Sequence, residues 1–382
     1  MHPEPFALER FFAQHEFTAS HLLSTSDCQG VKMADLLALA GDDLLERWRT
    51  LALGYTESQG LPDLREQVAR TYESVAPAEV LVAAPEEAIF LAMNTLLEPG
   101  DRVVCTFPGY QSLYELALSI GCEVAYWQPA EAGDWHFEVE RLGKLLDSNT
   151  KLVVWNFPHN PTGALPSQAD YERMIDLASG ADAWVFSDEM YRLLEPSPTT
   201  RLPAAVDRYE RALSLSGMSK VYGLAGLRLG WVATHDRRLL EGMMALKDYT
   251  TICPPAPSEL LALMALRAAE PIIEAHRERV AANVATAAGF FSRNTDVIRW
   301  IPPQAGTVCF PRLLEGGASQ GPGSGAHGAA AFCERVLRDT GVLLLPSTVY
   351  GYGDSHFRLG LGRADFAAGL EALERYLAEN RT

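Results

Sequence analysis

The 382-residue chain exceeds the length at which a single hydrophobic core usually stops growing, so two domains are expected. A hydrophobic fraction of 48% and a charged fraction of 21% are those of an ordinary globular protein and exclude wholesale disorder. A formal charge of −17, with no Lys/Arg run to interrupt it, excludes nucleic acid and anionic membrane surfaces as partners, because both carry like charge.

The start of the chain, MHPEPFALERFF, has no basic region followed by an apolar stretch. No later segment nears the roughly 18 apolar residues a membrane span needs, so a cytoplasmic protein is expected. From residue 79 to 233 short β-rich runs alternate with segments of helical period: EVLVAA then PEEAIFLAMNTLLE, RVVCTF then YQSLYELALSI, KLVVWNF then PSQADYERMIDLAS, and finally AWVFSD, ALSLSG and RLGWVAT. This rhythm predicts an α/β fold with a mostly parallel sheet and crossover helices. The helical DRRLLEGMMALK and a long apolar helical stretch from Ser258 to about Phe291 follow. The pattern then changes to VIRWIP, TVCFPR, a helix, GVLLLP, HFRLGLG and a final helix, which predicts a smaller α+β domain. The boundaries expected are 46–275 for the large domain, and 1–45 with 276–382 for the small one. The Gly- and Ser-rich EGGASQGPGSGAHG (315–328) reads as a mobile surface loop. Six scattered cysteines, at 28, 105, 122, 253, 309 and 333, lack CxxC spacing and read as buried free thiols; no metal site is expected.

In open α/β sheets ligands sit beyond the carboxyl ends of the strands, which singles out four places. Pro85-Glu86-Glu87 opens a helix whose free N–H groups and dipole suit a phosphate, although an ordinary helix start reads the same way. The turn Pro158-His159-Asn160-Pro161-Thr162-Gly163 aims an amide at the sheet edge. Ser187-Asp188-Glu189-Met190-Tyr191 puts a carboxylate and a phenol at the end of a strand that reads as central, where a solvated strand end is the bland alternative. The fourth is Gly217-Met218-Ser219-Lys220-Val221-Tyr222-Gly223-Leu224-Ala225-Gly226-Leu227-Arg228-Leu229-Gly230.

That last run resembles the lysine-attachment pattern of class-I/II pyridoxal 5'-phosphate (PLP) dependent aminotransferases, and with NPTG and DExY in the same order the resemblance extends from Tyr55 to Arg358. It implies the fold-type I architecture and a homodimer with shared active sites. Lys220 then resembles the Schiff-base lysine, which also moves the substrate's proton, and Asp188 the acid beside the ring nitrogen. Asn160 and Tyr191 resemble the pair that hydrogen-bonds the ring oxygen, Asn160 also reaching the substrate carboxylate. Arg228, Ser219 and the backbone of Glu86 and Glu87 would hold the phosphate. Relatives usually carry Gly, Ser or Thr where Pro85-Glu86-Glu87 stand, so these carboxylates must point away from the phosphate or be disfavoured as anions. Tyr110 falls where an aromatic lies against the ring, and core packing is its alternative. Tyr55 resembles the tyrosine that reaches the phosphate in the partner subunit, and Arg358 the arginine that forks onto the substrate α-carboxylate. Asp248 falls where dicarboxylate-specific relatives place an arginine that crosses the interface to the substrate's second carboxylate, a reversed sign that favours basic substrates; pairing with Lys247 or a loop cap is the alternative.

The implied function is an aminotransferase moving an amino group from an amino acid to a 2-oxo acid. The same residues serve cyclases, oxidases, hydroxylases and lyases of amino acids, because every path begins at the Cα proton. The segment SHLLSTSDCQGVKMADLL lacks the usual glycine-proline-aspartate lead and resembles the start of capreomycidine-synthase-like specialised members. A PLP-binding transcription regulator would need a DNA-binding module before Tyr55, where the chain is acidic and short.

Overall fold

The computed structural model describes residues 2–314 and 328–380; the Gly- and Ser-rich segment read as a loop lies outside the described residues, apart from Gly328. Its centre is a seven-stranded sheet built from the β-branched runs already picked out: β2 (Val80–Ala83), β3 (Arg102–Thr106), β4 (Glu123–Trp127), β5 (Thr150–Asn156), β6 (Trp184–Asp188), β7 (Ala212–Gly217) and β8 (Gly230–Ala233). The strand preceding them, β1 (His21–Leu22), belongs elsewhere. The order is β2-β8-β7-β6-β5-β3-β4, and β8 runs antiparallel to both of its neighbours. The other strands are parallel, as the alternation of strand and helix predicts. Helices cover both faces, which is why β2 and β8 are buried along their whole length and read as continuous apolar runs.

This topology gathers the segments singled out in the sequence. The carboxyl ends of β2, β3, β5, β6 and β7 lie on one edge, and each hands over there to one of the segments singled out above. The helix Pro85–Leu96 starts after β2, Tyr110 follows β3, Asn160 follows β5, Asp188 ends β6, and Lys220 stands three residues after β7.

The C-terminal part forms small sheets around Phe290, Phe332, Phe357 and Phe366. β9 (Ile298–Arg299) pairs with β11 (Arg312–Leu313), and β10 (Val308–Cys309) and β13 (Leu345–Pro346) flank β14 (Phe357–Gly360), while β1 pairs in parallel with β12 (Val342–Leu343). The chain start is thus part of the C-terminal layer. The boundaries expected after residues 45 and 275 both fall inside helices, Asp42–Arg49 and Ala269–Arg293. The apolar stretch from Ser258 is two helices, Ala256–Arg267 and Ala269–Arg293. All six cysteines are free and five are buried. Among the described residues no helix is long and apolar enough to cross a membrane.

Between β1 and the first inner helix, residues 23–28 lie directly on β14. The Gly360 N–H donates to Leu23 O at 2.7 Å, the Gln29 N–H to Gly362 O at 2.9 Å, and the Thr307 hydroxyl to Ser26 O at 2.6 Å. Two glycines make this approach possible: a Cβ on Gly360 would stand 1.8 Å from Thr25 O, and one on Gly362 2.2 Å from Asp27 O. Gly360→Ala is therefore expected to lower stability by about 1–3 kcal/mol through overpacking, read as a lower Tm, whereas a glycine that merely ended a strand would tolerate the change.

Candidate active site

The sheet edge and the N-terminal segment enclose a cleft of about 450 Å³. Ten of the anticipated residues line it: Pro85, Glu86, Tyr110, Asn160, Asp188, Tyr191, Ser219, Lys220, Arg228 and Arg358. Lys220 leaves the turn after β7 and donates from Nζ to Ser26 Oγ at 2.9 Å. Desolvation by burial depresses its pKa first; Asp27 opposes that shift and Arg358 adds to it. Its neutral amine, the form that can act as base or nucleophile, is thereby favoured.

Asp188 is buried at the end of β6. Its Oδ1 accepts the Met190 N–H at 3.1 Å, and it has no ion-pair partner among the described residues. Burial raises its carboxyl from the usual range to about 7. A carboxyl in that condition binds a cationic ring N–H well, because the incoming charge restores the ionised form that burial disfavours. The neighbouring Asn156 fixes the geometry on both sides: its Nδ2 donates to Asp188 O at 3.1 Å and its Oδ1 accepts the Asn160 N–H at 2.8 Å.

Arg358, on β14, is only 1% exposed. Its Nε donates to Ser24 O at 2.9 Å, and its Nη1 to the Tyr350 hydroxyl at 2.7 Å and to Asn160 Oδ1 at 3.2 Å. Nη2 is buried with no partner. Leaving a charged donor unsatisfied is costly, and a carboxylate is the anionic group whose two oxygens match a guanidinium fork.

The helix Pro85–Leu96 opens on the cleft with no side-chain cap at Ala84, leaving the first-turn N–H groups of Glu86 and Glu87 without intrahelical acceptors. Arg228, held in left-handed backbone (φ 50°), and buried Ser219 line the cleft on this side. The two glutamates behave differently. Glu87 turns away to buried Lys247 (3.5 Å) and to Thr251 (2.7 Å). Glu86 faces the cleft, where it accepts the Ser112 hydroxyl at 3.3 Å, and burial raises its carboxyl to about 7. One carboxylate avoids the anion site and the other is held near its neutral form.

Tyr110 lines the cleft, with its ring 5.1 Å from that of Phe6 and its hydroxyl donating to Glu9 at 3.3 Å. The phenol of Tyr191 is buried and its pKa is raised by desolvation. Tyr55 and Asp248 do not reach this chain's cleft. Tyr55 is 90% exposed beside Pro254 and Pro255. Asp248 is an exposed C-cap of the helix Arg237–Lys247, and Lys247 pairs with Glu87 instead of Asp248.

Sequence reasoning missed Ser26, Tyr350 and the helix Ala7–His15, which closes the cleft with Phe6, Leu8, Glu9, Phe12 and Glu16. A signal existed for the helix, since Leu8, Phe11 and Phe12 recur at helical spacing. Tyr350 had none, because only the folded backbone brings it to Arg358. The set fits PLP: an amine for its aldehyde, a buried acid for its ring nitrogen, and helix-start N–H groups with Arg228 and Ser219 for its phosphate.

Known proteins agree with this geometry. The chain is 29% identical over 379 residues to capreomycidine synthase of Streptomyces vinaceus, covering 97% of this chain and 93% of that one. A PLP-dependent aminotransferase from Streptococcus suis superposes with a TM-score of 0.91 at 28% identity, over 100% of both chains. The PLP-dependent cyclase OrfR superposes with a TM-score of 0.88 at 28% identity, over 99% of this chain and 98% of the cyclase. The family described as Aminotransferase class I and II matches residues 40–375, and the chain is a member of it, a fold-type I enzyme whose cofactor is pyridoxal 5'-phosphate.

Proposed function

We propose that the chain is an aminotransferase that passes the amino group of an amino acid to a 2-oxo acid, with Lys220 as the residue that carries the cofactor. The observation that carries this reading is Arg358, a buried guanidinium that lines the cleft that holds Lys220 and whose Nη2 lacks a protein partner. When bound, PLP supplies an electron-withdrawing ring that delocalises negative charge developing at the substrate Cα. The chain does the rest. Arg358 takes the α-carboxylate, steadied by Asn160 and Tyr350, and so fixes which Cα bond faces the cofactor. Lys220 Nζ takes the proton at the substrate Cα as general base and, as the ammonium so formed, is the acid that redelivers it. Asp188 would hold positive charge on the ring nitrogen, Asn160 and Tyr191 would bond the ring oxygen, Tyr110 would supply stacking area for the ring, and Arg228 with Ser219 and the first-turn amides would retain the phosphate.

A second reading, a cyclase or related enzyme of specialised metabolism, is favoured by the likeness to capreomycidine synthase and to OrfR over nearly the whole chain. Both readings use the same residues at Cα. Product analysis decides between them: stoichiometric 2-oxo acid and a new amino acid identify transfer, and a cyclic product without acceptor turnover identifies the alternative.

Lys220→Ala is expected to abolish turnover and the visible absorbance of lysine-bound cofactor while retaining some PLP through the phosphate contacts. Borohydride fixation of the cofactor to any other lysine would overturn the assignment.

The raised carboxyl of Asp188 also gives a pH test on cofactor-free protein. Its folded value of about 7 lies above the ordinary 3.8, so its stabilising protonation is complete below the latter and lost as pH rises through about 7. The Tm of the cofactor-free protein should fall across that window, and fall less in Asp188→Asn. Equal pH slopes in the two proteins would contradict this account.

We further propose a homodimer with shared sites. Leu53 and Tyr55 are 82% and 90% exposed, Thr56 ties them to Pro254 at 2.8 Å, and nearby Tyr249 is 89% exposed. Large apolar groups so exposed mark an association surface. Light scattering should return twice the chain mass, and mixing inactive Tyr55 and Lys220 variants should regenerate activity; a fully active monomer would count against it.

A further inference from the structure

An amine on the flexible aliphatic stem of a lysine samples many rotamers unless something holds it. Lys220 Nζ is held by Ser26, to whose Oγ it donates at 2.9 Å across 194 residues of sequence. Ser26 is itself buried and framed on every side of its backbone. Its carbonyl accepts the Thr307 hydroxyl at 2.6 Å. Arg363 braces both of its neighbours, donating from Nε to Thr25 Oγ1 at 3.0 Å and from Nη2 to Asp27 Oδ1 at 3.0 Å. The hydroxyl is thus the fixed point of the contact, and the amine is the mobile partner.

The direction of this hydrogen bond matters for the chemistry. A neutral amine has N–H groups to donate and one lone pair, and only the lone pair removes a proton. Ser26 accepts an N–H and leaves the lone pair free, so long as its own proton has another acceptor. The Tyr191 phenol oxygen is that acceptor: burial raises this phenol, and Arg358 and then a hydrogen bond with Ser26 pull against the rise. Donors then run one way, from Lys220 through Ser26 to Tyr191, and on to the ring oxygen that Tyr191 bonds in the reading above. The contact also survives protonation, because an ammonium keeps donating to Ser26. Without the hydroxyl, the opposite charge that acts most strongly on Lys220 is Asp27, the next residue along the chain, which would draw the protonated amine aside.

We propose that Ser26 is a positioning residue for the Cα proton transfer, holding Lys220 Nζ through an accepted hydrogen bond so that its lone pair stays free for the substrate. In that transfer the proton passes from Cα to Nζ and the electron pair of the broken C–H bond stays with the substrate carbon, for the cofactor ring to delocalise. Ser26 itself neither gains nor loses a proton. It lies before residue 40, where the family match begins, so the family pattern assigns it no role. The proposal rests on the reading of Lys220 as the base.

The test compares the holoenzyme with Ser26→Ala, Ser26→Cys and Ser26→Thr. Each of the common L-amino acids is mixed with the parent holoenzyme, and the one that changes the visible absorbance of the cofactor fastest is then used with hydrogen or deuterium at Cα. In a single turnover Ser26→Ala should be slower by about tenfold or more, the worth of a hydrogen bond to a charged group, with a Cα isotope effect at least as large as the parent's. PLP should bind Ser26→Ala at least as tightly as the parent, because the phosphate contacts are untouched and Ser26 competes for the free amine. Ser26→Thr, which keeps the hydroxyl, should recover most of the rate, and Ser26→Cys, a weak acceptor of similar size, should not. Should Ser26→Ala melt early, Ser26→Cys decides. A Ser26→Ala rate within about twofold of the parent's, a slower rate with a smaller isotope effect, or weaker PLP binding that accounts for the loss overturns the role of Ser26 and leaves Lys220 as the base. If no amino acid alters the absorbance of the parent, the reading of Lys220 as the base fails and the role of Ser26 with it.

Discussion

A guanidinium that is almost wholly buried has to be met by acceptors from whatever part of the chain can reach it, and Arg358 gathers three. Its contacts are Ser24 O from the N-terminal segment, Asn160 Oδ1 from the turn after β5, and the Tyr350 hydroxyl from the C-terminal layer. Breaking any of them leaves a buried charged donor short of a partner, at a cost of about 1–3 kcal/mol. This one side chain therefore couples the sheet edge, the chain start and the C-terminal sheets, and Nη2 is held in place by the three bonds that fix the other two nitrogens. The preorganisation that the proposed α-carboxylate role of Arg358 requires is present in the protein itself.

The same burial sets the chemistry around it. The low-dielectric cleft presses Lys220 towards its neutral amine and raises Asp188 and Glu86 to about 7, so its charges await partners instead of being satisfied by water. Glu86 explains how a carboxylate is tolerated where relatives usually place a small or hydroxyl residue. Near its neutral form, and holding Ser112, it sets little repulsion against an anion at the helix start.

Much of this was legible in the sequence because the fold is local in its rules. A strand followed by a turn puts the next residue at the sheet edge whatever the tertiary details, which is why Asn160, Asp188 and Lys220 could be placed beside one another from pattern alone. What escaped was non-local. Ser26 reaches Lys220 only because Gly360 and Gly362 let residues 23–28 lie on β14, and the carbonyl oxygens that would collide with a Cβ there are more than three hundred residues away in sequence. The antiparallel insertion of β8 between β2 and β7 was hidden for the same reason, since periodicity is blind to strand direction. Asp248, expected to act across a subunit interface, is an exposed helix C-cap in the single chain, and the carboxylates that face this chain's own cleft are Glu9, Glu16, Asp27, Glu86 and Asp188.

That difference bears on how a common core yields a particular substrate. The family match runs over residues 40–375, whereas the likeness to capreomycidine synthase covers 97% of the chain. The residues proposed to hold the cofactor and move the Cα proton fall inside the family match, as chemistry shared by its reactions requires. Ser24, Ser26 and the helix bearing Glu9, Phe12 and Glu16 fall outside it. Positions free of the common chemistry are those able to vary with the substrate side chain, and here they are held in register by the Arg358 clamp. The N-terminal segment, outside the chemistry common to the family, is thereby tied to the sheet edge and to the C-terminal sheets through the bonds that Arg358 makes to Ser24, Asn160 and Tyr350.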